Sequence, residues 1–163
     1  MRVPRTTLLL ATAIAVLLSA GCSKVEGPPT IAAPHKHHHH PPHGGTPIEL
    51  GEEEYHVELV IDPASGRLQA YVLDGEMENF VRSSLPRLEI SATVAGKPVD
   101  LVLAAVPNPE TGETVGDTSL FECQADWLKT APEFDAVLRE VTVRGTTYSN
   151  VRFSYPKGND ADG

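Results

Sequence analysis

From residue 47 onward, hydrophobic and polar positions alternate along most of the chain with a period of two. In "YHVELVI" Tyr55, Val57, Leu59 and Ile61 fall on one side, and His56, Glu58 and Val60 fall on the other. "RLQAYVL" follows after "DPASG", and "RLEISATV" alternates Leu88, Ile90, Ala92 and Val94. "AGKP" turns the chain into "VDLVLAAV", and "DTSLFEC", "REVTVRG" and "TYSNVRFSY" continue the series. Successive side chains of a strand point to opposite faces, so these runs predict strands with one face toward a core. "DPASG" and "NPETG" each place a proline three residues before a glycine. The proline presets one backbone angle and the glycine takes the left-handed position of a turn. Seven or eight short runs at near-regular spacing predict an all-β sandwich or barrel over residues 47–156, with an immunoglobulin-like antiparallel β-sandwich as the expected form.

One stretch carries a different signal. In "TAPEFDAVL" Thr130 can cap a helix, Glu133 can reach back to it, and Pro132 is tolerated in the first turn. Phe134, Val137 and Leu138 would then form an apolar side, so the sandwich is expected to carry one short helix.

The first 46 residues follow neither period. Arg2 and Arg5 precede thirteen uncharged, mostly apolar residues, Leu8 to Ala20, and Gly21-Cys22 follow at once. A charged start, a short apolar run and small residues before a cut are the layout of an export signal. The apolar run is shorter than the roughly 20 residues that a membrane-spanning helix needs. "LSAGC", Leu18 to Cys22, resembles the lipobox of bacterial lipoproteins, with Ser19 where Leu is commoner. The resemblance implies a signal peptide over residues 1–21 and an acylated Cys22 as the first mature residue, anchored in a membrane by its lipid. Two or more acyl chains give a stable anchor where one gives only marginal binding. Ser23, rather than Asp, after the cysteine resembles the pattern that sends Gram-negative lipoproteins to the outer membrane, facing the periplasm. The stretches "PHGGTPIELGEEEYHVELVI" and "AYVLDGEMENF" also resemble uncharacterised exported bacterial proteins, a resemblance that implies no activity.

Residues 22–46 read as a tether. Prolines at 28, 29, 34, 41 and 42 favour polyproline II, which has no internal hydrogen bonds and needs no core. Residues 157–163 read as a disordered tail. Within the tether, "HKHHHHPPHGG" holds six of the chain's seven histidines. In polyproline II, residues three apart line up, so His37, His40 and His43 share one side and His35 and His38 a neighbouring one, with His39 between them. Neutral imidazoles bind Zn, Cu(II) and Ni well, and a pliable chain can wrap two to four of them around an ion and exchange them readily. That suits capture and delivery of a divalent transition metal better than a closed structural site. Context argues against a purification tag, because Lys36 and Pro41-Pro42 interrupt the run and an export signal precedes it. A plain spacer remains the alternative.

His56 is the one histidine inside the domain, and it shares the outward face of its strand with Glu58, roughly 7 Å along the backbone. His43 lies just before the first strand, and Gly44-Gly45 can bend it back. His43, His56 and Glu58 could therefore form an N,N,O metal site where tether meets domain, against the blander expectation of a solvated histidine on an exposed strand face.

Charge narrows the partners. From Pro47 onward 9 Lys and Arg stand against 21 Asp and Glu, a net of −12. Such a balance argues against nucleic acid, whose phosphates require cations. It leaves the membrane, through the anchor, and a metal-handling or envelope protein as expected partners. With Cys22 carrying lipid, Cys123 has no partner for a disulfide, and its place beside Phe121 reads as a small buried hydrophobe. Methionine-rich copper, Cys-x-x-Cys zinc and Asp-rich calcium motifs are all missing, and "LDGEME" reads as a hairpin turn. There is no G-x-S-x-G, P-loop or H-E-x-x-H, so binding rather than catalysis is expected.

Overall fold

The computed structural model describes residues 40–130 and 133–159. Among the described residues eight strands form: β1 (Thr46–Leu50), β2 (Tyr55–Asp62), β3 (Arg67–Asp74), β4 (Arg87–Val94), β5 (Lys97–Ala105), β6 (Leu120–Gln124), β7 (Phe134–Val143) and β8 (Thr146–Tyr155). All neighbours are antiparallel, in the order β1-β2-β3-β6-β5-β4-β7-β8. The domain is therefore all-β, built from one sheet that nearly closes on itself.

Turn chemistry sets the hairpins. Ala95-Gly96 and Arg144-Gly145 each have two positive φ angles, the two-residue turn whose twist matches that of the flanking strands. Between β2 and β3, Asp62 accepts from the backbone of Ala64 and the hydroxyl of Ser65, and Gly66 N–H donates to the Asp62 carbonyl. β4, β5 and β6 form a unit inserted between β3 and β7, so the chain leaves the sheet after β3 and re-enters three places away.

The alternation read from the sequence places the core. Val57 and Leu59 of β2, Leu88, Ile90 and Ala92 of β4, and Leu101 and Leu103 of β5 all join one interior with Ile48, Leu68, Phe121 and Leu138. Burying each large aliphatic contributes about 1.5–3 kcal/mol, which makes this interior the main source of stability.

The helix expected from Thr130 onward does not form. Phe134–Val143 is a strand, with Phe134, Ala136 and Leu138 buried and Asp135 and Arg139 exposed. The capping box is outweighed because β4 and β8 both pair with this segment, and Val137, Val141 and Val143 favour the pleated surface. The helical element instead precedes it, a single 3-10 turn at Asp126–Lys129 that buries Leu128.

The domain also extends past both expected boundaries. Thr46, assigned to the tether, opens β1, and its hydroxyl donates to the Pro156 carbonyl at 3.1 Å. Residues 157–159, expected to begin the tail, lie along β1. The Asn159 amide accepts from Glu49 N–H at 2.7 Å and donates to the Glu49 carbonyl at 3.0 Å, standing in for a strand residue. Gly158 exchanges hydrogen bonds with Ser154, and a Cβ there would sit 2.1 Å from the Pro47 carbonyl oxygen. Only glycine lets this segment lie so close, and through it the ends of the sheet meet.

Candidate site at His43 and Glu58

The site residues expected from sequence fall into two groups. Cys22, His35, His37, His38 and His39 lie outside the described residues. His40, His43, His56 and Glu58 lie within them.

His40 is exposed and leads into a tight turn in which Gly44 N–H donates to the Pro41 carbonyl at 2.9 Å. The turn carries His43 back onto β2. There the fully buried Glu58 carboxylate receives it: Oε1 accepts the backbone N–H groups of His43 and Gly45, both at 2.9 Å, and Oε2 lies 2.7 Å from His43 Nδ1. A buried carboxylate is tolerated only when polar partners replace its lost water, and here two backbone N–H donors and the His43 ring nitrogen do. Gly45 is required by the close approach, since a Cβ would stand 2.4 Å from the Leu59 carbonyl oxygen and 2.9 Å from the Glu58 side chain.

Register builds the rest of the pocket. Tyr71 of β3 stands directly opposite Glu58, so the two share a face. The His43 ring stacks on Tyr71 with centroids 4.0 Å apart and planes 14° off parallel, and Phe80 leans on both rings at 5.9 Å. Burial, and after it the charge of Glu58, holds the Tyr71 hydroxyl above its ordinary pKa of 10.0. The His43 side chain remains 34% exposed, so one part of the ring is still reachable from solvent.

His56 departs from expectation. It does lie on the face opposite the core-facing Val57 and Leu59, two residues from Glu58, but that face is covered and His56 is only 3% exposed. It pairs across the sheet with Glu49 and with the fully buried Leu73. Among the described residues no group of three or more His, Cys, Asp or Glu side chains is disposed to hold a metal ion. His43 and Glu58 do meet, but they bind each other, and the N,N,O set with His56 is not assembled.

A groove of about 510 Å³ runs on from the aromatic wall, lined by Tyr71, Phe80, Arg82, Asn108, Glu113 and Leu120 among others. Its charged groups are engaged. Arg82 bonds Asp117 at 2.8 Å and the Thr111 carbonyl at 2.6 Å. Glu113 accepts from Ser119 N–H and Oγ and from the Thr111 hydroxyl. Burial opposes its ionisation, but the Ser119 and Thr111 donors win, and its carboxyl lies below the ordinary range. "PETGETVGD" thus folds around its own carboxylate. Cys123 is half-buried against the core, and burial pushes its thiol up to about 11.

Tyr71 and Phe80 were missed by sequence reasoning. The signal existed only in pairing register, which places Tyr71 across from Glu58. Compared with known proteins, the chain matches no family, no curated protein and no solved structure. Among the described residues no helix is long and apolar enough to cross a membrane.

Proposed function

We propose that this is an exported, lipid-anchored protein that binds divalent transition metal (Zn, Cu or Ni) through its histidine-rich tether, for sequestration or delivery. Cys22 is the proposed anchor, and the outer membrane facing the periplasm is the proposed location. A metal-handling or envelope protein is the proposed recipient. The observation that carries the reading is the treatment of His43, where the histidine tract ends. A wholly buried carboxylate grips one ring nitrogen, as the partners of metal-binding imidazoles commonly do. Binding is favoured over catalysis because Glu58, Glu113 and Asp74 are each saturated by hydrogen-bond donors. For the carrier domain the finer architecture proposed is an immunoglobulin-like sandwich, flattened from the nearly closed sheet around its single interior.

A second reading is supported by the groove. Phe80 at its mouth is 53% exposed, which suits a docking module whose tract is only a spacer. Calorimetric titration of the mature chain, carrying Cys22→Ser to remove the lipid, separates the two. Metal binding predicts micromolar or tighter uptake of Zn(II), Cu(II) or Ni(II), with proton release and loss of most sites on deleting residues 35–40. A chain that takes up none of these ions leaves the docking module.

A further inference from the structure

We infer that the groove between the Tyr71–Phe80 wall and the loop that follows β5 receives an uncharged, apolar peptide segment. One apolar side chain lies on Phe80 and Leu120, and the peptide carbonyls beside it accept from Asn108 and Arg82. The inference rests on the docking reading of this groove and holds whether or not the histidine tract takes up metal.

What the groove has already spent on itself decides the chemistry of its ligand. Its carboxylate, Glu113, is saturated: Oε1 accepts from Ser119 N–H and Oγ, and Oε2 accepts from the Thr111 hydroxyl. A cation therefore finds no free carboxylate there. Arg82 stands among two carboxylates, Asp117 at 2.8 Å and Glu113, so an anion finds no net positive charge. Donors are what is left over. Asn108 Oδ1 accepts from Glu110 N–H, and among the described residues nothing takes up the amide hydrogens of the same side chain. Arg82 spends one of its five N–H groups on Asp117 and one on the Thr111 carbonyl. The floor between these donors and the aromatic wall is apolar, made by Leu120 and Val106. Unspent donors beside an apolar floor match neutral acceptors on an apolar body, which a peptide carbonyl next to an apolar side chain supplies.

Shape separates a peptide from a small molecule. A volume of about 510 Å³ suits either, but small-ligand sites bury about 70–90% of what they hold. Here Phe80, a wall of the groove, is 53% exposed, and Asn108 opposite is exposed as well. An open trough of this kind fits a chain that enters and leaves it. Both walls are also built in advance. His43 stacks against Tyr71 at 4.0 Å and Phe80 leans on the pair, while Glu113 ties Thr111 to Ser119 across the loop. Walls fixed beforehand have little freedom left to lose on binding.

The test uses the mature chain with Cys22→Ser, followed by ¹⁵N–¹H spectra. The probes are acetylated, amidated tripeptides with phenylalanine at the centre, flanked by glycine, by aspartate or by lysine, and toluene as a ring without carbonyls. The glycine-flanked peptide should shift the signals of Tyr71, Phe80, Asn108 and Leu120 saturably, and bind at least about threefold tighter than either charged peptide. Phe80→Ala, at an exposed position, should weaken it about tenfold. Asn108→Asp keeps Oδ1 for Glu110 N–H but turns the free donor into an acceptor. It should weaken the glycine-flanked peptide and move the preference to the lysine-flanked one, a reversal that mere loss of folding does not produce. Three results would overturn this inference and leave the docking reading standing: a charged peptide bound as tightly by the parent, toluene bound as tightly as the peptide, or affinity unchanged in both variants. Groove signals that answer to none of the probes would overturn both.

Discussion

Two carboxylates, Glu58 and Asp74, each organise a bend in the chain, and they do so in opposite ways. Asp74 works locally: it accepts from Glu78 N–H, Asn79 N–H and the Asn79 amide, four and five residues on, at the partly exposed tip after β3. Glu58 works at a distance of thirteen to fifteen residues, inside the protein, on the segment that leads into β1. A local carboxylate saves a turn from relying on water. A buried one makes the whole junction depend on it, because its donors have no water to fall back on.

The largest expected effect that follows is at Glu58. Glu58→Ala strands two backbone N–H groups and the His43 ring proton, and should cost roughly 2–4 kcal/mol in denaturant unfolding. A loss below that of an Asp74 variant would erase the distinction. Gly45→Ala comes next, at about 1–3 kcal/mol, since the new methyl group meets the Leu59 backbone carbonyl rather than a yielding side chain. It should also free the His43 ring from Tyr71, visible as loss of the ring-current shift on that histidine. Asp74→Ala should be the mildest, about 1 kcal/mol, and its effect should depend on acid. Slight burial opposes ionisation of Asp74, but the Asn79 and Glu78 donors outweigh it and hold the carboxyl below the ordinary 3.8. A lowered folded-state pKa contributes stability that is complete above the unfolded value and disappears as pH falls through the folded one. Unfolding free energies of parent and Asp74→Ala should therefore differ at pH 7, begin to approach near the ordinary 3.8 and converge only once pH has fallen through the lower folded value. A gap that persisted in strong acid would show that the turn does not draw on the charge.

The hairpin at Asp74 was legible because everything it needs lies within six residues. The strands were legible for a similar reason: alternation in "YHVELVI" or "RLEISATV" is a local pattern that any one-sided burial must reproduce. The bend at Gly44-Gly45 that returns His43 to β2 was legible too. What the pair does on meeting was not, since a histidine and a glutamate near each other can share an ion or bind each other. "TAPEFDAVL" misled because its capping residues are local, whereas the two strands that claim Phe134–Val143 are distant in sequence. The same holds for His56. Alternation assigned its face correctly, but only the packed chain shows that this face is covered.

By itself the sequence determined the all-β character, the turn positions, the core-facing residues and the crowding of imidazoles at one end, all set by near neighbours along the chain. The tertiary structure alone decided that the eight strands of the described residues make one nearly closed sheet, that Asn159 completes its edge, and that Glu58 sits beneath the turn before β1 with His43 bound to it. Those features depend on register and on contacts between residues 13 to 110 positions apart. Such contacts are selected by the combined packing of the core, which no short window of residues contains.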